Sequence, residues 1–317
     1  MMEQSDLQTA VDNDLRKTKR YRVGILAAIG LLALVAFVLL VMKYPGVMSV
    51  AEEETPIVPT VNAYDGVSLT AQAAIVYDLA TGEMLYGKNA EAQLPLASLT
   101  KLLTVYAAAD ALSLDTPVVI TASALAEEGE SGFVAGEVFA FEHLARLALV
   151  ASSNDAASAI AEAASNKRAS SGATLLASAA EAAGLTQTYA TNGTGLDESV
   201  TVSGGYGSAH DVALLAGALL KKAPEIAQAT TESSVSVNSL SGRNFTQNNT
   251  NPEAARVPGS LLSKTGYTDL AGGNLAVVFD AAINHPIAIV VLGSTREGRF
   301  TDVDRLLERT LLTLETP

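Results

Sequence analysis

NLAVVFDAAINHPIAIVVLG, residues 274–293, holds two nearly continuous apolar runs, Asn274 to Phe279 and Pro286 to Gly293. Short apolar runs rich in β-branched residues read as strands from the buried centre of a sheet. Downstream, Thr301 to Leu314 places Val303, Leu306, Leu307 and Leu311 on one face of an amphipathic helix. Upstream, Leu261 to Thr265, Asn244 to Gln247 and Val235 to Ser239 read as further strands, and Ala73 to Tyr77 with Met84 to Tyr86 as a hairpin turning at Thr81-Gly82. Between these strand regions the period is helical. Leu99, Leu102, Leu103, Tyr106 and Ala107 mark a helix over 97–112, and two Ala- and Leu-rich stretches over 141–164 are broken near Ser152 to Asn154. More helices are expected at 172–183 and 208–222. Strands at both ends with helices between them imply one α/β domain with an inserted helical lobe.

The composition fits that reading. With 317 residues and 49% hydrophobic content, the chain can bury a real core. It has no Cys, which excludes disulfides, thiolate metal sites and thiol nucleophiles, and only three His. The net charge of -14 is divided unevenly: residues 1–50 carry +2 and the rest -16. An acidic body of this kind repels phosphate backbones, so nucleic acid is not an expected partner.

Val23 to Met42 is an uncharged, largely apolar run long enough as a helix to cross roughly 30 Å of hydrocarbon. Arg16, Lys17, Lys19, Arg20 and Arg22 precede it, and this basic cluster predicts a cytoplasmic tail (1–22), a transmembrane helix (23–42) and an exported remainder. The alternative is a cleaved export signal ending near Ala51, where Ser49 and Ala51 offer small side chains. The apolar stretch exceeds the usual ~7–15 residues of such signals and follows a long polar tail, which favours the retained anchor and a cell-membrane location. Residues 43–69, with Pro45, Gly46, Glu52 to Glu54, Pro56, Pro59 and Gly66, read as an extracytoplasmic linker, and 70–317 as the folded domain.

Three short words carry the chemistry: Ser98-Leu99-Thr100-Lys101, Ser152-Ser153-Asn154 and Lys264-Thr265-Gly266. Ser98 and Lys101, three apart on a helix, share a face. A lysine ordinarily titrates near ~10.4, but burial and a neighbouring cation such as Lys264 lower that value, so a neutral Lys101 could take the Ser98 proton. A helix start beside the serine adds backbone N–H groups for a developing oxyanion. Ser152 and Asn154 interrupt two helices, where they either cap or project into a cleft. At the third word the strand edge could pair with a peptide, Lys264 and Thr265 could hold a carboxylate, and Gly266 could let the backbone approach closely. Ser236 to Asn238 repeats the second spacing but falls on the polar face of a strand.

The surrounding residues strengthen these matches: Leu96-Ala97 before Ser98, Asp155-Ala156-Ala157 after Asn154, Thr194-Gly195-Leu196-Asp197, Asn249-Thr250-Asn251-Pro252, and Tyr267-Thr268-Asp269 with Ala271-Gly272 after Gly266. In this order the chain resembles the serine D-Ala-D-Ala carboxypeptidases among the penicillin-binding proteins, over essentially all of residues 70–315. The resemblance implies an antiparallel β-sheet flanked by helices, and no cofactor. It implies that the terminal D-Ala-D-Ala of a peptidoglycan stem peptide acylates Ser98, with β-lactams as mimics. Lys101 would then be the base, Ser152 and Asn154 would relay a proton and hold the substrate amide, and Lys264 and Thr265 would bind the carboxylate side. The N–H groups of Ser98 and Tyr267 would form the oxyanion hole, and Arg299 is a candidate carboxylate clamp.

Other classes have weaker support. A β-lactamase shares the motifs but usually needs a Glu on a loop after the second word; Glu198 falls in that stretch without the ExxLN pattern. An idle peptidoglycan-binding module would be expected to have lost Ser98, Lys101 or Lys264. A Ser-His-Asp hydrolase is suggested only by His210-Asp211, which as neighbours on a helix point apart, and no GxSxG elbow is present.

Overall fold

The computed structural model describes residues 63–129 and 132–315, together with positions 20, 24, 29–40, 42 and 43. The chain divides into two compact units, residues 1–60 and 61–317. In the first, positions 29–40 are helical and their side chains are exposed. No helix among the described residues is long and apolar enough to cross a membrane. The rest of the expected 23–42 span and most of the expected 1–22 tail lie outside the described residues, as do positions 44–62 of the expected linker.

The second unit is built on a five-stranded antiparallel sheet of β1 (Ala73–Asp78), β2 (Glu83–Lys88), β3 (Ser260–Thr268), β4 (Gly272–Asp280) and β5 (Pro286–Ser294), in the order β3-β4-β5-β1-β2. The apolar runs of residues 274–293 are therefore the sheet's interior strands, as expected. Their alternate residues feed two separate cores. Ala276, Val278, Ala288, Val290 and Leu292 face the helical lobe, with Ile75 and Leu262. Leu275, Val277, Phe279, Ile287, Ile289 and Val291 face the other way, against Val303 and Leu306 of the closing helix α7 (Gly298–Glu315). Burial on both faces explains why neither run alternates with polar residues.

The lobe contains α1 (Thr100–Ala108), α2 (Phe141–Val150), α3 (Asn154–Arg168), α4 (Gly172–Ala182), α5 (Ala209–Lys222) and the short α6 (Pro224–Ala229). Every residue of α1 is buried, so this helix is the axis of the lobe. The expected 97–112 helix is shorter: Ala97–Leu99 form a 3-10 turn, and the helix ends at Ala108. The expected strand over 261–265 continues instead to Thr268, because Gly266 and Tyr267 pair with Asn274 and Gly273. Glycine's low strand propensity hid that extension. Helix α6, with Pro224 in its first turn, is too short to leave a periodic signal.

Packing begins earlier than the linker reading suggests. Tyr64 is buried, and its hydroxyl lies 2.9 Å from Thr310 Oγ1 on α7. Asp302, also on α7 and fully buried, accepts the N–H groups of Thr70 (3.0 Å) and Ala71 (2.8 Å) and the Ser294 hydroxyl (2.8 Å). Removing that carboxylate orphans two backbone donors, at about 1–3 kcal/mol each. We expect Asp302→Ala to destabilise the fold by roughly 2–6 kcal/mol, seen as a lower urea midpoint with an unchanged slope. Equilibrium unfolding followed by circular dichroism checks this.

Candidate active site

Two non-glycine residues with strained, left-handed backbone border the site. Ala97 (φ 47°) precedes Ser98, and Ser152 (φ 60°) lies between α2 and α3. Left-handed backbone at residues other than Gly, Asn and Asp costs of order 1 kcal/mol or more and persists where the surroundings impose it. At Ala97 one imposing contact is Gly195: a Cβ there would lie 1.9 Å from the Ala97 carbonyl oxygen. At Ser152 the left-handed turn frees the side chain from capping. Ser153 does that job instead, accepting the Ala156 N–H at 3.2 Å.

The three words converge. Lys101 Nζ is fully buried and lies 2.8 Å from Ser98 Oγ, 2.7 Å from Asn154 Oδ1 and 2.7 Å from the Thr194 carbonyl. Lys264 Nζ, also buried, lies 2.9 Å from Ser152 Oγ and 2.9 Å from the Thr265 carbonyl. The first and second words are thus joined by Lys101, and the second and third by Lys264. Thr265 Oγ1 lies 2.7 Å from Thr250 Oγ1. Gly266 passes so close to the turn carrying Ser98 that a Cβ would stand 2.9 Å from the Leu96 carbonyl oxygen. The third word lies on β3, an edge strand of the sheet, with one side open for pairing.

Burial sets the electrostatics. It depresses the Lys101 ammonium to about 7, against a smaller opposing pull from Glu127. Lys264 is held well below the usual lysine range by burial first, then by the charges of Lys101 and Arg299. Two ammonium groups here disfavour each other, and the pair has a neutral amine near neutral pH. A protonated Lys101 would donate to all three of its neighbours. A neutral one keeps two N–H bonds, to Asn154 and Thr194, and presents its lone pair to the Ser98 hydroxyl. The site is built to accept that proton.

Arg299 is buried on the first turn of α7 and donates from Nη1 to the Gly266 carbonyl at 2.7 Å. Its Nε has no hydrogen-bond partner among the described residues. It is therefore fixed beside the third word and is not a solvated loop residue. Tyr267 exposes its ring, with the Arg296 guanidinium 4.1 Å from the centroid.

Sequence reasoning missed three contributors. Thr194 and Thr250 stood only as flanking residues, and the part Thr194 plays, through its carbonyl, left no side-chain signal. The turn Glu127 to Gly129 sits on the start of α3, its Glu128 carbonyl accepting from Asn154 Nδ2 at 2.5 Å and Glu127 Oε1 accepting from Ser158 Oγ at 3.2 Å. The residues of the alternative hydrolase are occupied elsewhere. His210 pairs with Glu91 at 2.7 Å, and the Asp211 carboxylate accepts from Gln187 N at 2.6 Å and Thr188 Oγ1 at 2.8 Å. Glu198 is exposed.

Fold and site define a serine acyl-transfer enzyme that works without histidine, with a lysine beside the nucleophile. The chain belongs to the D-alanyl-D-alanine carboxypeptidase family (peptidase family S11), whose model matches residues 59–296. It is 34% identical over 233 residues to the D-alanyl-D-alanine carboxypeptidase DacB2 of Mycobacterium tuberculosis, covering 72% of this chain and 77% of that one. It is 30% identical over 252 residues to DacF of Bacillus subtilis, covering 78% of this chain but only 63% of the relative. Among solved structures, a D-alanyl-D-alanine carboxypeptidase of M. tuberculosis superposes with a TM-score of 0.69 at 26% identity, over 78% of this chain and 92% of the other. Penicillin-binding protein D2 of Listeria monocytogenes, solved with ampicillin bound, gives 0.62 at 25% identity, over 77% and 98%.

Proposed function

We infer that this chain is a serine D-Ala-D-Ala carboxypeptidase that removes the terminal D-alanine from peptidoglycan stem peptides. The observation that carries this is the convergence of Ser98, Lys101, Ser152, Asn154 and Lys264 through the hydrogen bonds at Lys101 and Lys264. Neutral Lys101 takes the hydroxyl proton as Ser98 Oγ attacks the penultimate carbonyl. The backbone N–H groups of Ser98 and Tyr267 receive the oxyanion, and the close approach of Gly266 to the Ser98 turn brings them to one place. Lys264, Thr265 and Arg299 hold the terminal carboxylate. That anion stabilises the charge on Lys264, and the charged Lys264 keeps its neighbour Lys101 neutral. The proton that Lys101 took is handed on to the departing amine through the Ser152 hydroxyl, which Lys264 holds in place, so Lys101 is again neutral and Ser152 again a hydroxyl. Free D-alanine leaves, and water then hydrolyses the ester on Ser98, releasing the shortened peptide and restoring the hydroxyl.

β-Lactams, which present the same carboxylate and a strained amide, acylate the same serine. In the test, the full-length protein is incubated with benzylpenicillin and, separately, with a pentapeptide ending in D-Ala-D-Ala. Peptide mapping by mass spectrometry is expected to place one penicilloyl group on Ser98, with free D-alanine released from the pentapeptide. A label on another residue, or labelling without D-alanine release, overturns the reading. Rapid turnover of the drug would identify a β-lactamase instead.

The uncharged run 23–42 and its basic approach support a single-pass anchor with residues 61–317 outside the cytoplasm. Protease treatment of intact cells should degrade the 61–317 unit while leaving a cytoplasmic marker whole. Protection of both, or release of the protein into the medium, contradicts the retained anchor.

A further inference from the structure

A fully buried amide, Asn274, stands at the head of the first apolar run. It lies where β4 and β5 slip out of register: Gly273 faces Ser294 and Leu275 faces Val291, so β5 spends one residue more than β4 between these pairs. A bulge of this kind disrupts the ladder and leaves a backbone group to be satisfied otherwise. Here that group is the N–H of Gly293, whose φ is 67°, and Asn274 Oδ1 accepts it at 2.8 Å. The bulge asks nothing more of this side chain. Yet Asn274 Nδ2 also donates to the Pro95 carbonyl at 3.0 Å. Because the Gly293 N–H can only donate and the Pro95 carbonyl can only accept, the amide has one orientation.

That second bond joins residues 179 positions apart and ends three residues before the nucleophile. The segment entering the Ser98 turn is held on one side by Leu94 and Pro95 pairing with Gly207 and Tyr206, and by the Leu96 N–H donating to the Gly205 carbonyl at 2.9 Å. Asn274 holds it from the side of the main sheet. On β3, Gly266 is the direct partner of Asn274 and so shares its face. A Cβ on Gly266 would stand 2.9 Å from the Leu96 carbonyl oxygen and 3.3 Å from Leu99 N. The glycine admits the turn to the sheet, and the asparagine fastens it there. Arg299 Nη1, on the Gly266 carbonyl at 2.7 Å, restrains β3 at the same point. The two oxyanion donors straddle this junction, Ser98 N–H following Pro95 by three residues and Tyr267 N–H following Gly266 by one.

We propose that Asn274 is a positioning residue for the oxyanion hole: by clamping the Pro95 carbonyl to the sheet, it keeps the Ser98 and Tyr267 N–H groups converged on one oxygen. Asn274 itself touches no substrate. Its effect belongs to the transition state, since full negative charge reaches that oxygen only as the tetrahedral species forms. The inference rests on the carboxypeptidase reading, which makes these two N–H groups the donors.

The test uses two N-acylated peptides ending in D-Ala-D-lactate, identical except that the reacting carbonyl of one is C=O and of the other C=S. Sulfur is larger and accepts longer, weaker hydrogen bonds, so it gains little from a hole dimensioned for oxygen. The full-length wild type should favour the oxygen ester by roughly 10²-fold in acylation rate. Asn274→Leu, similar in size but without donor or acceptor, should slow the oxygen ester about 10²-fold and the thiono ester less than ~10-fold, with KM for the oxygen ester little changed. The oxygen-to-sulfur ratio should thus fall about tenfold or more. Val277→Ala is the control for stability, because it opens a cavity on the same strand but on the face packed against α7, and it should leave the ratio intact. Should Asn274→Leu fail to fold, Asn274→Asp decides: an ionised aspartate still accepts from Gly293 N–H, has no donor for Pro95, and should compress the ratio likewise. An equal loss on both esters, or a ratio unchanged in a folded Asn274 variant, overturns the role given to Asn274 while leaving the carboxypeptidase reading in place. A wild type that turns over neither ester and takes no benzylpenicillin overturns both.

Discussion

Lys101→Met should reduce acylation of Ser98 by benzylpenicillin by roughly 10³-fold or more, the upper range for removing a positioned general base. The same loss is expected for Lys101→Arg, because a guanidinium stays protonated throughout the accessible pH range and has no lone pair to offer. In the wild type, burial brings the Lys101 ammonium down to about 7, and only the neutral amine works as a base. The acylation rate should therefore rise with pH through about 7 and level off above it. Because Lys101 and Lys264 titrate together, the observed midpoint belongs to the pair. The sign for stability follows from the same burial. An unfolded Lys101 titrates near ~10.4, so between about 7 and that value the unfolded chain holds more protons than the folded one. The cost of burying this lysine is fully present below about 7 and is relieved as pH rises toward the unfolded value. Lys101→Met should flatten that part of the dependence of melting temperature on pH. Stopped-flow acylation from pH 5.5 to 9, with melting curves on the same samples, checks both statements. A pH-independent wild-type rate would remove Lys101 from the role of base.

How much of this was legible in the sequence varies with the range of the interaction. The two apolar runs of residues 274–293 specify the sheet's interior because burying both faces demands uninterrupted apolar residues, a demand met within each strand. The spacing of Ser98 and Lys101 is likewise local, one helical turn. Convergence of Lys264 with Ser152 is different: 112 positions separate them, and nothing near either residue shows that one reaches the other. The ordered motifs raised that expectation through family resemblance, and the hydrogen bond at 2.9 Å supports it. The Thr194 carbonyl was invisible because any residue at that position supplies the same oxygen. The turn 127–129 was invisible for a related reason, since its Glu128 contribution to Asn154 comes from the backbone. The glycine between Thr265 and Tyr267 concealed the end of β3, although it is the close packing it allows that brings the strand to the nucleophile.

Gly195→Ala should both unfold the protein more easily and silence it, although Gly195 carries no chemistry. Its φ is +75°, and a Cβ there would sit 1.9 Å from the Ala97 carbonyl oxygen and 2.7 Å from Thr100 Oγ1. Backbone is the obstacle, so the clash cannot be relieved by a rotamer change. The atoms it displaces bear on both halves of the nucleophilic pair: Ala97 immediately precedes Ser98, and the neighbouring Thr194 carbonyl anchors Lys101 at 2.7 Å. Asn192 Oδ1 ties this loop together by accepting the N–H groups of Thr194 (3.2 Å) and Gly195 (2.8 Å), so the loop moves as a unit. Overpacking plus a left-handed alanine should cost about 3 kcal/mol or more. A displacement on the order of 1 Å at Ser98 should reduce acylation at least ~10²-fold. Gly242 supplies the control, because at φ +87° a Cβ on it would meet nothing within 4 Å. Gly242→Ala bears only the conformational penalty, about 1 kcal/mol, and should keep full penicillin labelling. If Gly195→Ala labels Ser98 as fast as Gly242→Ala does, the strained turn at Ala97 is not what aims the serine.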